Sequence, residues 1–205
     1  MTEIVLATKN SHKVEEFRVL LAGLPHTLLT LADCAGVVLP PETGATYREN
    51  AVAKAIAVAR ATGKWALADD SGLEVEALGG QPGVRSARYA GERATDAENR
   101  RRLLAELQSV SADRRAARFV CVLALAPPPG DLVTEPWVVE GVCDGTIARE
   151  ERGAGGFGYD PLFVEPASGR TFAELSPDEK HRVSHRGRAA RELATRLLAE
   201  VVTRT

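Results

Sequence analysis

The sequence predicts a mixed α/β fold, with helices packed on a largely continuous β-sheet. Three observations carry that prediction. The stretch "ARFVCVLALA", residues 117–126, is apolar throughout after Arg118, as a strand buried on both faces in the middle of a sheet would be. Ser/Thr-x-x-Glu starts at Thr46, Thr95 and Ser176 are capping boxes, each opening a helical stretch. Short apolar runs take turns with these helical stretches along the chain, which suits layers of helix on sheet.

In order, Ile4 to Ala7 is a short strand, broken by the polar "TKNSHK". A helix follows, because Val14, Phe17 and Leu21 recur at helical spacing. His26 to Leu31 is a second strand, and the prolines of "VVLPPETGA" make the next stretch a loop. From Thr46 and Glu49 the Ala-rich "NAVAKAIAVARATG" runs as a helix to Gly63. Trp65 to Ala68 is a buried strand, and Leu73 to Val75 begins another. Between them Asp69, Asp70, Ser71 and Gly72 carry good turn chemistry. If the strand instead persists, the two aspartates point to opposite faces and do different jobs. Thr95 and Glu98 open the helix of "RRLLAEL". After the central strand, "PPPGD" turns the chain, and "LVTEPWVVEGVCDG" returns as a strand interrupted at Pro136, a residue of edges and bulges. Ser176, Pro177 and Glu179 start a helix with proline at its first position. Beyond Ser184, Ala189, Leu193, Leu197 and Val201 space an amphipathic terminal helix.

At 205 residues the chain buries a sizeable core as one large domain or two lobes. A formal net charge of −2 gives no general attraction to nucleic acid or an anionic membrane. Three scattered cysteines without a CxxC spacing point to reduced thiols in a cytosolic protein, and away from a disulfide framework or zinc site. The first apolar run is short for a signal peptide, and no window approaches the roughly 18 apolar residues of a membrane span. The expectation is a soluble cytoplasmic protein.

Two nucleotide signatures are decoys. "GAGGFG", Gly153 to Gly158, fits GxGxxG but neither follows a strand nor opens a long helix, so its glycines need another backbone reason. "TGKW" ends like a phosphate loop without that loop's leading glycine or following hydroxyl residue. "ATKNSHK" is a better phosphate site, because a strand running into a helix start aims backbone N–H groups at the gap. Thr8, Asn10 and Lys13 would add a hydroxyl, an amide and a cation there, although an ordinary cap beside a solvated lysine has the same sequence. Lys54, in an otherwise apolar helical stretch, either snorkels to water or faces a phosphate. Glu42 is a turn residue or a hard oxygen ligand, since Mg²⁺ takes one or two carboxylates plus substrate phosphates. Two carboxylates at the end of a buried strand, Asp69 and Asp70, require something positive opposite them. "SHRGR", Ser184 to Arg188, is a donor-rich set or the solvated face of a helix, and "FGYDP" is an aromatic site or a tight turn.

In chain order, "TKNSHK", "PETG…ENAVAKA", "ADDSGLEVEALGGQPGVRSARYAG", "GGFGYDPLF", "TFAEL…EK" and "SHRGRA" closely resemble the inosine triphosphate pyrophosphatase (dITP/XTP pyrophosphatase) family over nearly the whole chain. The resemblance implies one catalytic domain over residues 1–205, an elongated mixed sheet flanked by helices in two lobes with the active-site cleft between them. It implies a Mg²⁺-dependent hydrolase, usually a homodimer, that converts ITP, dITP and XTP to monophosphate and pyrophosphate and so cleanses the nucleotide pool. Thr8, Lys9, Asn10, Ser11, His12, Lys13 and Lys54 would hold the triphosphate. Glu42 and Asp70 would serve the metal, with Glu49 the nearby alternative to Glu42, and Asp70 would take the proton of the attacking water. Ser71 would touch the substrate, while Phe157, Gly158, Tyr159, Asp160, Lys180, His185 and Arg186 would form the base pocket, with Phe157 stacking on the purine. One family form has glycine where this chain has Lys9, whose charge suits phosphate and whose bulk crowds it. The purine six-position oxygen would meet backbone N–H groups or Arg186, and adenine's amino group would be refused there. Competing readings are a pyrophosphatase of other modified or canonical nucleotides, and a nucleotide sensor without hydrolysis. A pure binder gains little from carboxylates placed beside phosphates, which weighs against the sensor.

Overall fold

A computed structural model describes residues 2–203, and the side chains of residues 3–199. Six strands, β1 (Thr2–Leu6), β2 (His26–Leu29), β3 (Trp65–Val75), β4 (Ala116–Ala126), β5 (Trp137–Ile147) and β6 (Phe163–Val164), form one sheet in the order β2-β1-β3-β4-β5-β6. The helices are α1 (Ser11–Leu20), α2 (Tyr47–Thr62), α3 (Asp96–Glu106), α4 (Pro177–Val183) and α5 (His185–Thr203). β1 runs parallel to both neighbours, with Ile4 opposite Leu28 on β2 and Trp65 on β3. β5 and β6 are antiparallel, with Ile147 opposite Phe163, so the sheet is mixed, as the family resemblance implies.

Three local expectations change. The Asp-Ser-Gly segment does not turn the chain; β3 continues through it for 11 residues. Both carboxylates find lysine partners, described below, so the strand need not break to hydrate them. β5 is likewise uninterrupted, because Pro136 lies just before it and removes no ladder donor. At α2 the capping box is half made: the Thr46 side chain accepts from the Glu49 N–H, but Glu49 Oε2 accepts from the Ala45 N–H at 2.7 Å, one residue further back. The boxes at Thr95 and Ser176 are complete.

The chain divides into two compact units, neither of them contiguous. The first takes the residues up to Asp70, Cys121–Gly141 and those from Arg188 on; the second takes Ser71–Val120 and Val142–Gly187. The first unit's core gathers Ile4 and Leu6 of β1, Phe17 of α1, Leu67 of β3, Leu123 of β4, and Ala189 and Leu193 of α5. Leu197 packs at its margin, as the terminal-helix spacing requires, while the Val201 side chain lies outside the described residues. The second core is more aromatic: Phe119 lies 4.6 Å from Phe163, which lies 4.8 Å from Phe172. Fully burying each such ring contributes on the order of 1.5–3 kcal/mol. Among the described residues, no helix is long and apolar enough to cross a membrane.

Candidate active site

In the first unit the middle of β3, at Asp69 and Asp70, meets α2 and the start of α1. Lys13, in the first turn of α1, places Nζ 2.9 Å from Asp69 Oδ1. Lys54 is only 5% exposed, and its Nζ donates to Glu42 Oε1 and to the Asp69 carbonyl, both at 2.6 Å. The same ammonium lies 3.8 Å from Asp70 Oδ1. Lys54 therefore does not snorkel; its charge is held inside by three carbonyl or carboxylate oxygens. Burial by itself would lower its pKa, but Asp69, Asp70 and Glu42 outweigh burial and raise it. These lysines are the positive partners that the aspartate pair requires, and the strand's alternation sends Asp69 to one and Asp70 toward the other.

Asp70 is the perturbed acid of the cluster. Burial, aided by the nearby Glu42 charge, pushes its carboxyl up to about 6, against the pull of Lys54, the Asn50 hydrogen bond and Lys13. Asn50 Nδ2 donates to Asp70 Oδ2 at 3.0 Å, while its Oδ1 accepts from the Gly44 N–H at 2.8 Å. Asn50 fixes the carboxylate and the "PETG" loop together, and the sequence reading did not single it out. Its signal was available, because Asn50 precedes Lys54 by one helical turn on the same face of an Ala-rich helix.

The phosphate-loop candidates are at the exposed start of α1. Thr8 Oγ1 accepts from the Asn10 N–H and Asn10 Oδ1 from the Lys13 N–H, both at 3.2 Å. Those two side chains shape the turn, and Lys9, Ser11 and His12 stand exposed on it.

Glu42 and Asp70 approach one ammonium, giving two hard carboxylates within reach of each other. Across the cluster three carboxylates face two ammoniums, a surplus of one negative charge. That donor set fits a divalent cation arriving with phosphate, because Mg²⁺ is usually bound by one or two carboxylates plus substrate oxygens and water. Among the described residues no group of three or more His, Cys, Asp or Glu side chains could hold a metal alone. Glu49 is turned to the Ala45 N–H, which leaves Glu42 as the carboxylate beside Asp70.

The second unit carries a different cluster. Lys180, 6% exposed at the end of α4's first turn, donates from Nζ to Asp160 Oδ2 at 2.6 Å. The same Oδ2 accepts from the Phe157 N–H at 2.9 Å, so one carboxylate ties the lysine to the glycine-rich loop. This supplies the backbone reason for Gly156: its φ is +71°, and a Cβ there would collide with the Asp160 carboxylate. The half-buried Phe157 ring has Lys180 Nζ 4.9 Å from its centroid and Arg186 Cζ at 5.7 Å. Arg186, 2% exposed, donates from Nη2 to Ser71 Oγ at 2.9 Å. "SHRGR" is thus no solvated face up to Gly187. The His185 ring stacks on Phe119 at 4.6 Å and lies nearly parallel to Phe172 at 6.5 Å. Gly187 completes the turn, since a Cβ there would overlap the His181 carbonyl where α5 begins against α4. Tyr159 is 4% exposed and donates its hydroxyl to the Ser86 carbonyl at 2.9 Å, which makes its side chain an anchor of the loop in the core. Gly158 is held through its backbone, as considered below.

A profile of the Ham1 family matches residues 4–196. A dITP/XTP pyrophosphatase of Geobacillus kaustophilus is 51% identical over 193 residues, 94% of this chain and 93% of the relative. One of Thermus thermophilus is 55% identical over 191 residues, 93% of this chain and 89% of the relative. The solved structure of a HAM1 protein from Coxiella burnetii superposes with a TM-score of 0.87 at 47% identity, covering 97% of this chain and all of that one.

Proposed function

The chain belongs to the Ham1 family, and from that premise we propose that it hydrolyses non-canonical purine nucleoside triphosphates, ITP, dITP and XTP, to the monophosphate and pyrophosphate. The observation that carries the reading is Asp70: a buried carboxylate raised to about 6, fixed by Asn50 and beside Lys54. In the metal-free site such a carboxyl is ionised at neutral pH and placed to take up a proton, and a positioned general base typically contributes about 10²–10⁴-fold. Asp70 accepts the proton of the attacking water. Lys13 and Lys54, with Thr8, Lys9, Asn10, Ser11 and His12, bind the triphosphate and stabilise the departing pyrophosphate. Glu42 and Asp70 would hold Mg²⁺, which when bound offsets phosphate charge and makes water more acidic.

Phe157, with the backbone of Gly158 and Tyr159, packs on the base, and Lys180, His185 and Arg186 supply donors around it. Ser71 orients Arg186, and Asp160 orients Lys180. Donors opposite the six-position accept hypoxanthine or xanthine and leave adenine's amino group without an acceptor, the kind of mismatch that buried polar sites reject strongly. We read residues 1–205 as one catalytic domain, because each compact unit is assembled from separate segments of the chain. Free thiols at Cys34, Cys121 and Cys143 suit a reducing cytoplasm, and the family resemblance gives a homodimer that binds neither nucleic acid nor membrane.

Incubation with ITP and Mg²⁺ followed by product identification tests the reaction. IMP plus pyrophosphate is the expected result, and IDP plus orthophosphate would mean that another bond is cut. Turnover of ATP, GTP or dUTP matching that of ITP would transfer the activity to a different nucleotide class.

A further inference from the structure

Phe157 is placed by its backbone, and the residues that hold the far side of that backbone lie on α3. The Gly158 N–H donates to Asp96 Oδ2 at 2.7 Å, and the Gly158 carbonyl accepts from Arg100 Nη1 at 2.8 Å. Both polar groups of one peptide segment are therefore gripped by the first turns of one helix. The Phe157 N–H is already bound by Asp160, so the amides on either side of the Phe157 Cα are each fixed by a carboxylate. With those two N–H groups fixed, little freedom remains in the direction from which the ring leaves the chain.

Neither residue is needed where it stands to make the helix. Thr95 and Glu98 complete the capping box of α3 by themselves, which leaves the Asp96 carboxylate for the loop. Asp96 and Arg100 have the i,i+4 spacing that ordinarily makes an ion pair along a helix. Here each has a Gly158 backbone group within hydrogen-bond distance instead. Arg100 is further braced by Glu151, whose Oε1 lies 3.0 Å from Arg100 Nε, and its side chain is 15% exposed while Arg101 and Arg102 lie outward.

We propose that Asp96 and Arg100 are positioning residues that set the Phe157 ring for the purine, and so govern base affinity and discrimination without taking part in the chemistry. This rests on the reading of Phe157 as the residue that packs on the base. Neither residue touches the acidic cluster at Asp70, so kcat and its dependence on pH should stay as they are.

The experiment is a double-mutant cycle on ITP hydrolysis with the full chain and Mg²⁺. Asp96→Ala should raise KM about 10-fold at unchanged kcat, within the ~10²-fold that a 1 Å misplacement can cost. Asp96→Asn, which keeps an acceptor oxygen, should restore most of that loss. In a Phe157→Ala background Asp96→Ala should have no further effect, because the ring it positions is gone. Arg100→Lys against Arg100→Met gives the same comparison from the carbonyl side, should either Asp96 variant fold poorly. An unchanged KM in Asp96→Ala, additivity with Phe157→Ala, or a loss confined to kcat each overturns the clamp. If Phe157→Ala itself leaves KM unchanged, the reading of Phe157 fails and the clamp falls with it. A raised KM in Phe157→Ala alone fails the clamp while leaving that reading intact.

Discussion

Each unit buries a lysine beside an aspartate, with Lys54 Nζ 3.8 Å from Asp70 Oδ1 and Lys180 Nζ 2.6 Å from Asp160 Oδ2, yet the two clusters differ in sign. Around Lys54, the carboxylates of Glu42, Asp69 and Asp70 outnumber the ammoniums of Lys13 and Lys54. Around Lys180, the carboxylate of Asp160 faces the ammonium, and Arg186 adds a second cation over the same Phe157 ring. Burial, with a surplus of acid beside it, raises the pKa of Asp70 and creates a base that also welcomes a divalent cation. A surplus of cation beside an aromatic ring creates donors for a purine's oxygen. The same buried pair does different chemistry according to what is left over.

The largest effect should come from removing the surplus acid. Asp70→Asn is expected to cut ITP turnover roughly 10²–10⁴-fold, measured as pyrophosphate release. Its folded carboxyl is raised, so the ionised form is penalised in the native state. That cost begins as pH climbs above 3.8 and is complete above about 6. In metal-free buffer at pH 8 the variant should therefore melt above the native protein, and at pH 3 the two should coincide. A lower melting temperature at pH 8 would show Asp70 to be a structural acid.

Next in size is the loss of the second cluster's lysine. Lys180→Met leaves Asp160 buried without its ammonium, and breaking such a pair costs about 3–5 kcal/mol. Calorimetry should show a large fall in melting temperature, together with a raised KM for ITP. Stability equal to that of the native protein would mean that the Phe157 N–H alone satisfies Asp160.

Phe157→Ala sharpens the contrast from the substrate side. Stacking of a base on an aromatic ring is worth about 1–3 kcal/mol, so KM for ITP should rise roughly 5- to 150-fold with kcat nearly unchanged. If neither constant moves, the ring does not meet the base.

Glu179→Gln is the smallest and serves as a control in neither cluster. Arg170, with the backbone and side chain of Ser176, holds the Glu179 carboxyl down to about 2. A depressed acid stabilises the fold above its ordinary value of 4.5, and that contribution is lost as pH falls toward about 2. The variant should melt slightly below the native protein at pH 7 and level with it near pH 2, with ITP turnover unaltered.

Most of the fold could be read in the sequence because its signals are local. The apolar run of β4, the complete capping boxes at Thr95 and Ser176, and the Gly63 stop of α2 each act within a few residues. The sequence left β3 open between a turn at Asp-Ser-Gly and a strand running through it, because the choice depends on whether the carboxylates find cations, and those cations come from α1 and α2. Arg115 escaped notice for the same reason: 3% exposed, it donates to the carbonyls of Leu107, Ile147 and Ala148, which stand together only in the fold.

For the candidate site, the residue types and their order were in the sequence, and the motifs named the family before any distance was known. Hydrophobic periodicity and capping are short-range rules, so the chain carried its elements and its chemical inventory in plain view. Which ammonium meets which carboxylate, how far burial lifts Asp70, and which face of α3 holds the Phe157 loop were decided only by tertiary structure. Charge pairing and desolvation depend on distances between segments far apart in sequence, and those distances exist only once both cores have packed.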